Sequence, residues 1–516
     1  MLALAAVIST LRLTGAVPVE GGDYLLVPFT VPAGTVELTI AHDDGSASQI
    51  LDWGVWSPDG FRGWGGGLTE PAVIGVAESS RGYRAGPIAP GAWWVVIGKA
   101  KLQGEPGQYV VDLEFRDAAE LPVRPRAPWA AVTLATERRW YAGDFHVHSE
   151  ESGDASATFD QIVDLARGRG LDFVVLTDHN TDAHVPRLAA RQAGLPDLLL
   201  VRGAEVTTYA GHGNAVGTGA YVDHRVGLDG VGAPSILAAV AAQGGAFVVN
   251  HPALALGELC IGCAWDHADT PWAEVDAIEI QTGNADLTAA LFTPRSIELW
   301  DREEDAGHPL AAVGGSDDHR AGMETGAVAA RIGSPTTMVL ADALSEAALV
   351  EAVRAGRTVV KLRGPDDPMV ELVARDAAGA RAVGLGETLR EVGEVELEAT
   401  LGGAAAAGAI VELWRDGQRV ASTPVPADGA TVRFVRPVTG QRERYRVELT
   451  RDGLRLTVTS HVYVEGDPTL APGGCCDGGG RGRGPGAAAL ALVIAVAVTR
   501  RRRRGHGAAP GTAHAP

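Results

Sequence analysis

The sequence predicts a multidomain protein in which a central α/β domain, residues 140–362, is flanked on each side by a β-sandwich. Three observations predict it. The 516 residues exceed what one hydrophobic core usually fills. In the central part, apolar runs such as "FVVLT", "AFVVN" and "TTMVL" alternate with helical stretches such as "FDQIVDLARGRG", the pattern of βα units around a parallel sheet or barrel. Before and after it, short alternating runs are broken by Gly, Pro and Asp clusters with little helical period, the pattern of antiparallel sheets.

Residues 1–20, beginning "MLALAAVISTLRLTGAV", are apolar without a basic leader and read either as a signal peptide or as a first strand. Residues 21–120 read as a β-sandwich, with Trp53, Trp56, Trp64, Trp93 and Trp94 expected to pack its core rather than to bind sugar or peptide. The Pro/Arg-rich stretch "ELPVRPRAPWA" leads into a linker at 121–139. Residues 366–465 return to β patterning, and the Asp-Gly pairs in "VELWRDGQRV" and "VELTRDGLRL" mark tight hairpin turns of a second sandwich. Residues 466–516 begin with a Gly/Pro linker and continue with Cys475 and Cys476, an apolar run from Ala487 to Val498 and five arginines. Twelve helical residues rise only about 18 Å against a hydrocarbon core of roughly 30 Å, so this run is not read as a permanent span.

Ordinary apolar and charged fractions exclude disorder and a polytopic membrane protein for the bulk of the chain. The formal charge is -20, and because Arg481, Arg483 and the run Arg500 to Arg504 crowd the tail, the body is more acidic still. That excludes nucleic acid as a stable partner. The four cysteines fall in two close pairs, too few for a disulfide framework. Cys260 and Cys263, in "LCIGCAW", read as a local disulfide or two loop thiols, because a structural zinc needs two further ligands and only His267 stands nearby.

The chemistry lies in the central domain, where candidate ligands directly follow strand-like runs: His146 and His148 in "GDFHVHS", Asp178 and His179 in "VVLTDHN", Glu205 in "RGAEVTT", His251 in "FVVNHP", and Asp317 and His319 in "AVGGSDDHR". His212 in "GHGNAVG" is expected at the same rim. An α/β barrel gathers its strand C-termini on one face, so ligands far apart in sequence converge there. In an H-x-H pair at a strand end, both rings share one face and can hold one metal. A single histidine says little; six with two acids in one structural position point to a metal centre. Asp178, beside a ligand histidine, is expected to orient it, and Arg320 to clamp an anionic phosphate or carboxylate or else to be a surface residue.

"HVHS", "LTDHN", "GAEVTT", "GHGNAVG", "NHP" and "GSDDHR", with the trailing "LVEAVRAGRTVV", make the segment of about 142 to 362 resemble the PHP (polymerase and histidinol phosphatase) superfamily and, within it, metallohydrolases of the CehA/McbA type. The resemblance implies a distorted (βα)7 barrel with two or three divalent ions, Zn, Mn or Fe. By position it implies that His146, His148, Glu205 and Asp317 hold one metal, that Glu205 bridges to a second held by His212 and His251, and that His179 and His319 hold a third. The remaining ligand falls in "SEESGDAS", where Asp154 is preferred and Glu151 is the rival. The implied activity is metal-dependent hydrolysis, a phosphoester first and a carbamate, carboxyl ester or amide second, on a small-molecule or polymer substrate. A non-catalytic surface protein is the competing class. The tail resembles the sorting tails of myxobacterial surface proteins, in which the cysteine is the processing point, and this implies export and anchoring at the cell surface or in the periplasm.

Overall fold

The structure, a computed structural model, describes residues 7–467 except 47, 325–328, 403–405, 426–430 and 440. The cysteine pair and arginine run of the expected tail lie outside the described residues. Among the described residues no helix is long and apolar enough to cross a membrane.

The N-terminal domain is a sandwich of two four-stranded antiparallel sheets. One has the order Val7–Val17, Gly107–Arg116, Glu37–Asp43, Ala72–Gly75, and the other Tyr24–Val31, Gly91–Lys101, Ile50–Ser57, Gly60–Gly66. The stretch read as leader or first strand is therefore, from Val7, an edge strand paired with Gly107–Arg116, and the sandwich starts earlier than residue 21. Alternation places Val95, Ile97, Ile40 and Phe115 between the sheets around Trp53 and Trp93. Trp56 and Trp64 belong instead to a smaller cluster that Tyr221 of the central domain completes.

In the central domain, Arg139–Val147, Phe173–Leu176 and Leu199–Arg202 pair in parallel, with the helices Phe159–Gly168 and Val185–Gln192 in the crossovers. The first helix starts at a capping box, Thr158 with Gln161, and buries Phe159, Ile162, Val163 and Ala166 on one face. A second sheet runs Glu205–Thr208, Gly211–Val216, Ala246–Val249, Ala277–Thr282, Ala311–Gly315; its last three strands are parallel and its first two form a hairpin. No continuous ladder among the described residues closes the two sheets into a barrel. They meet through isolated parallel bridges, Val147 with Asp318 and His179 with Glu205, both at strand ends that carry candidate ligands.

The first sheet does not stop at the expected domain boundary. Arg139–Val147 pairs antiparallel with Thr336–Ala341, which pairs with Thr358–Lys361, which pairs with Leu454–Thr459. The C-terminal region thus shares one sheet with the central domain and folds a second, Ala382–Val383, Met369–Asp376, Glu394–Gly402, Thr431–Pro437, against its far end over Val370, Leu397, Val411 and Val447. Both Asp-Gly pairs are turns: Asp416 and Gly417, and Asp452 and Gly453, all have positive φ, as two-residue hairpins of this twist require. The linker is tied down as well, with Thr133–Ala135 paired to Leu344–Ser345 and Arg124 bonded to Glu78 and Glu151.

Candidate metal centre

Six histidines and three carboxylates converge where the two central sheets meet. His146 and His148 alternate with Val147, so both rings face inward with centroids 5.1 Å apart. His146 Nε2 lies 3.3 Å from both Glu205 Oε2 and Asp317 Oδ1, and His148 Nε2 lies 3.1 Å from Asp317 Oδ1. Ligand atoms of these four residues all lie within 4.8 Å of one another. Glu205 turns its other oxygen the opposite way: Oε1 is 3.3 Å from His212 Nδ1 and 3.2 Å from His251 Nε2. His148, His179 and His319 form a further group, and Asp154 Oδ2 joins it at 3.3 Å from His179 Nε2 and 3.2 Å from His319 Nε2. Asp154 is thereby separated from Glu151, which is buried against Arg124, Arg187 and the Gly82 amide.

The outer nitrogens are fixed by acceptors. His251 Nδ1 faces the Cys263 carbonyl at 2.9 Å, His212 Nε2 the Ile261 carbonyl at 3.3 Å, and His319 Nδ1 the Asp317 carbonyl at 2.8 Å. His146 Nδ1 faces Glu279 Oε1 at 3.3 Å. Carbonyls only accept, so in the neutral ring these nitrogens carry the hydrogen and the inner ones present lone pairs to carboxylate oxygens. Lone pair against carboxylate is repulsive unless a cation lies between. His146 Nε2 and Glu205 Oε2 are both buried with no hydrogen-bond partner among the described residues, as expected of atoms that wait for a metal.

The electrostatics of the cage point the same way. Burial favours a neutral His146, but Glu205, Asp317 and Glu279 outweigh it and carry its pKa well above the ordinary value. Burial likewise opposes charge on His319, yet Asp154 lifts it to about 9. Burial would raise Glu205, and His146 and His179 hold it well below the carboxylate range instead. His148, buried and next to His319 and His179, falls to about 3. Such a cage requires positive charge at its centre, either protons or divalent cations. A His/carboxylate donor set with a bridging glutamate fits Zn, Mn or Fe.

Two expected roles move. Asp178 accepts from Ser149 N and Oγ, each at 2.6 Å, and lies 3.3 Å from His184 Nδ1, so it holds the loop behind His148 rather than the ring of His179. Arg320 is exposed, nearest Glu324 at 3.7 Å, and does not line the pocket, so a clamp on substrate is not what its position provides. Supporting residues that the sequence did not single out are Asp144, which accepts from His146 N, Ser316 N and Gly333 N; Asn250, which donates to Glu205 Oε1 at 2.9 Å; and Asp318, which accepts from the Arg320, Gly322 and Ile332 amides. Each stands within two residues of a candidate ligand in sequence, and that proximity was the available signal. His251 and Asp317 have φ of 27° and 56°, a cost tolerated where the surroundings hold a site in shape.

Above the cage opens a cavity of about 630 Å³, whose other wall comes from the N-terminal sandwich through Asp52, Trp64 and Leu68. Cys260 and Cys263 line it and are joined as a disulfide, so the Cys263 sulfur beside His212 and His251 is not available as a thiolate ligand. His267 is hydrogen-bonded to Thr208 Oγ1 at 2.8 Å rather than placed with these cysteines. The chain matches no protein-family model, and no curated protein is significantly similar to it.

Proposed function

We propose that the protein is a metal-dependent hydrolase of the PHP type, exported and surface-anchored through its tail. The observation that carries this is Glu205, whose two oxygens face two separate groups of inward-pointing histidine nitrogens. When bound, divalent metals supply Lewis acidity there, polarising the bond under attack and making hydroxide available near neutral pH. His212 and His251 are locked in ring orientation by carbonyls, Asn250 fixes the rotation of the Glu205 carboxylate, and Glu279 holds His146. With the ligands so fixed, little reorganisation accompanies reaction.

A phosphoester is the first substrate class for such a site. One observation favours the second, a carbamate, carboxyl ester or amide: among the described residues, no Lys or Arg lines the pocket. A phosphomonoester dianion would meet no cationic side chain to clamp it beside the metals, whereas an uncharged carbonyl group needs no clamp. The metal-loaded full chain should be assayed with p-nitrophenyl phosphate, bis-p-nitrophenyl phosphate and 1-naphthyl N-methylcarbamate. Turnover of the carbamate above the monoester supports the second class, and fast monoester turnover rejects it. No turnover of any, with metal bound, favours a non-catalytic binding protein.

A further inference from the structure

The cavity wall opposite the metal cage has a composition that the hydrolase reading does not use. Tyr24 stands at its centre, stacked on Tyr209 with centroids 5.8 Å apart and edge-on to Trp64 at 6.3 Å and to His224 at 6.1 Å. Trp64 meets His224 edge-on at 4.5 Å. All four residues line the cavity, together with Asp52.

The polar groups on this wall are lopsided. Tyr209 Oη donates to Asp52 Oδ2 at 3.0 Å, and Asp52 Oδ1 has no hydrogen-bond partner among the described residues. Tyr221 Oη donates its one proton to Asp223 Oδ1 at 3.1 Å, so at 3.0 Å His224 Nδ1 is the donor to Tyr221, and His224 Nε2 is left as an acceptor. That Nε2 is buried and unpartnered, in a ring that burial keeps neutral. The wall therefore offers one unused carboxylate oxygen, Asp52 Oδ1, and aromatic rings. Glu258 on the rim is bonded to Lys101 at 2.8 Å, and Lys101 is not among the residues that line the cavity.

We propose that this wall binds an ammonium group of the substrate, so that the substrate is an ester or amide that carries a protonated amine. The assignment rests on the hydrolase reading of the same pocket. Asp52 supplies the countercharge and its Oδ1 accepts an N–H, while the aromatic surface of Tyr24 and Trp64 attracts a cation. An anionic group would face Asp52 with no cationic side chain on this wall to offset it, and a neutral group that cannot donate would leave Asp52 Oδ1 without a partner.

Calorimetric titration of the metal-loaded full chain at pH 7.5 with benzylamine, benzyl alcohol and benzoate reads this directly, with metal content measured on the same sample. The expected order is benzylamine tighter than benzyl alcohol by about tenfold or more, with benzoate, which metals can hold, reporting binding at the cage instead. In Asp52→Asn the advantage of benzylamine over benzyl alcohol should disappear. Equal binding of amine and alcohol by the native protein, or an amine preference that survives Asp52→Asn, overturns the proposal. The charge series on the native protein decides even where the variant does not fold. A sample without metal condemns the hydrolase reading, whereas bound metal with no amine preference condemns this assignment alone.

Discussion

The two flanking sandwiches share a sequence texture and differ in how they meet the central domain. The C-terminal one shares a sheet with it, and buries Arg446 between Asp301 and Glu448 and Glu304 against His461 and Tyr463. The N-terminal one shares no strand ladder with it among the described residues. It docks through side chains: Arg84 on Asp182, Phe61 stacked on Tyr221 at 3.7 Å, Arg225 over Trp56 at 4.4 Å, and Tyr209 on Asp52. Only this second kind of contact leaves a cavity over the ligands, and no described residue of the C-terminal region lines it. Backbone continuity gives a support; side-chain docking gives a wall that can face a substrate. The contrast predicts that damage behind the cage lowers stability and damage in front of it changes KM.

The largest effect is expected at the cage itself. Glu205→Gln removes the charge that both histidine groups face, and it should abolish metal retention and turnover together; an active, metal-bound variant would refute the bridging role. Next comes Arg446→Met. It removes the buried cation that Asp301 and Glu448 share, leaving them Arg444 and Arg455, and should lower stability by about 1.5–3 kcal/mol in denaturant unfolding while metal stoichiometry in the folded protein stays unchanged. Glu279→Gln weakens the support of His146 Nδ1, and metal affinity measured by chelator competition should fall about 10- to 100-fold.

A matched pair sharpens the comparison. Trp64→Leu should raise KM with kcat largely kept, whereas Trp414→Leu, on the C-terminal side where Arg446 lies 4.9 Å over its ring, should leave KM alone and lower the melting temperature. Equal KM changes in both would erase the distinction between support and wall.

The smallest effect is a pH dependence of the metal-free protein. His319 titrates at about 9 when folded and at about 6.5 when unfolded, so its raised pKa contributes stability that is complete below pH 6.5 and lost as pH rises through 9. A metal held by His319 would take the place of that proton and would bind more tightly as pH rises. Melts at pH 6.5 and pH 9, with and without chelator, should show a metal-dependent gap that widens at the higher pH.

Much of the cage is legible in sequence because most of the candidate ligands follow an apolar strand run, and convergence of strand ends does the rest. Asp154 and Glu151 could not be separated that way, since the choice depends on Arg124 and Arg187 arriving from elsewhere to claim Glu151. The same limit hid the shared sheet: a strand pattern such as Leu454–Thr459 tells that a strand forms and not which neighbour it pairs with. Trp64 and Trp93 look alike in sequence, yet only the docking of Tyr221 and His224 sends Trp64 to the cavity while Trp93 fills the core. Tertiary partners, not local pattern, decide such cases.

Metal analysis of the purified full chain beside a His146→Ala, His148→Ala double variant tests the central claim most directly. A metallohydrolase cage of this kind should hold two or three Zn, Mn or Fe ions per native chain and at least one fewer in the folded double variant, with turnover lost. A native chain that binds no divalent metal, or a folded double variant that keeps its full metal content, would contradict it.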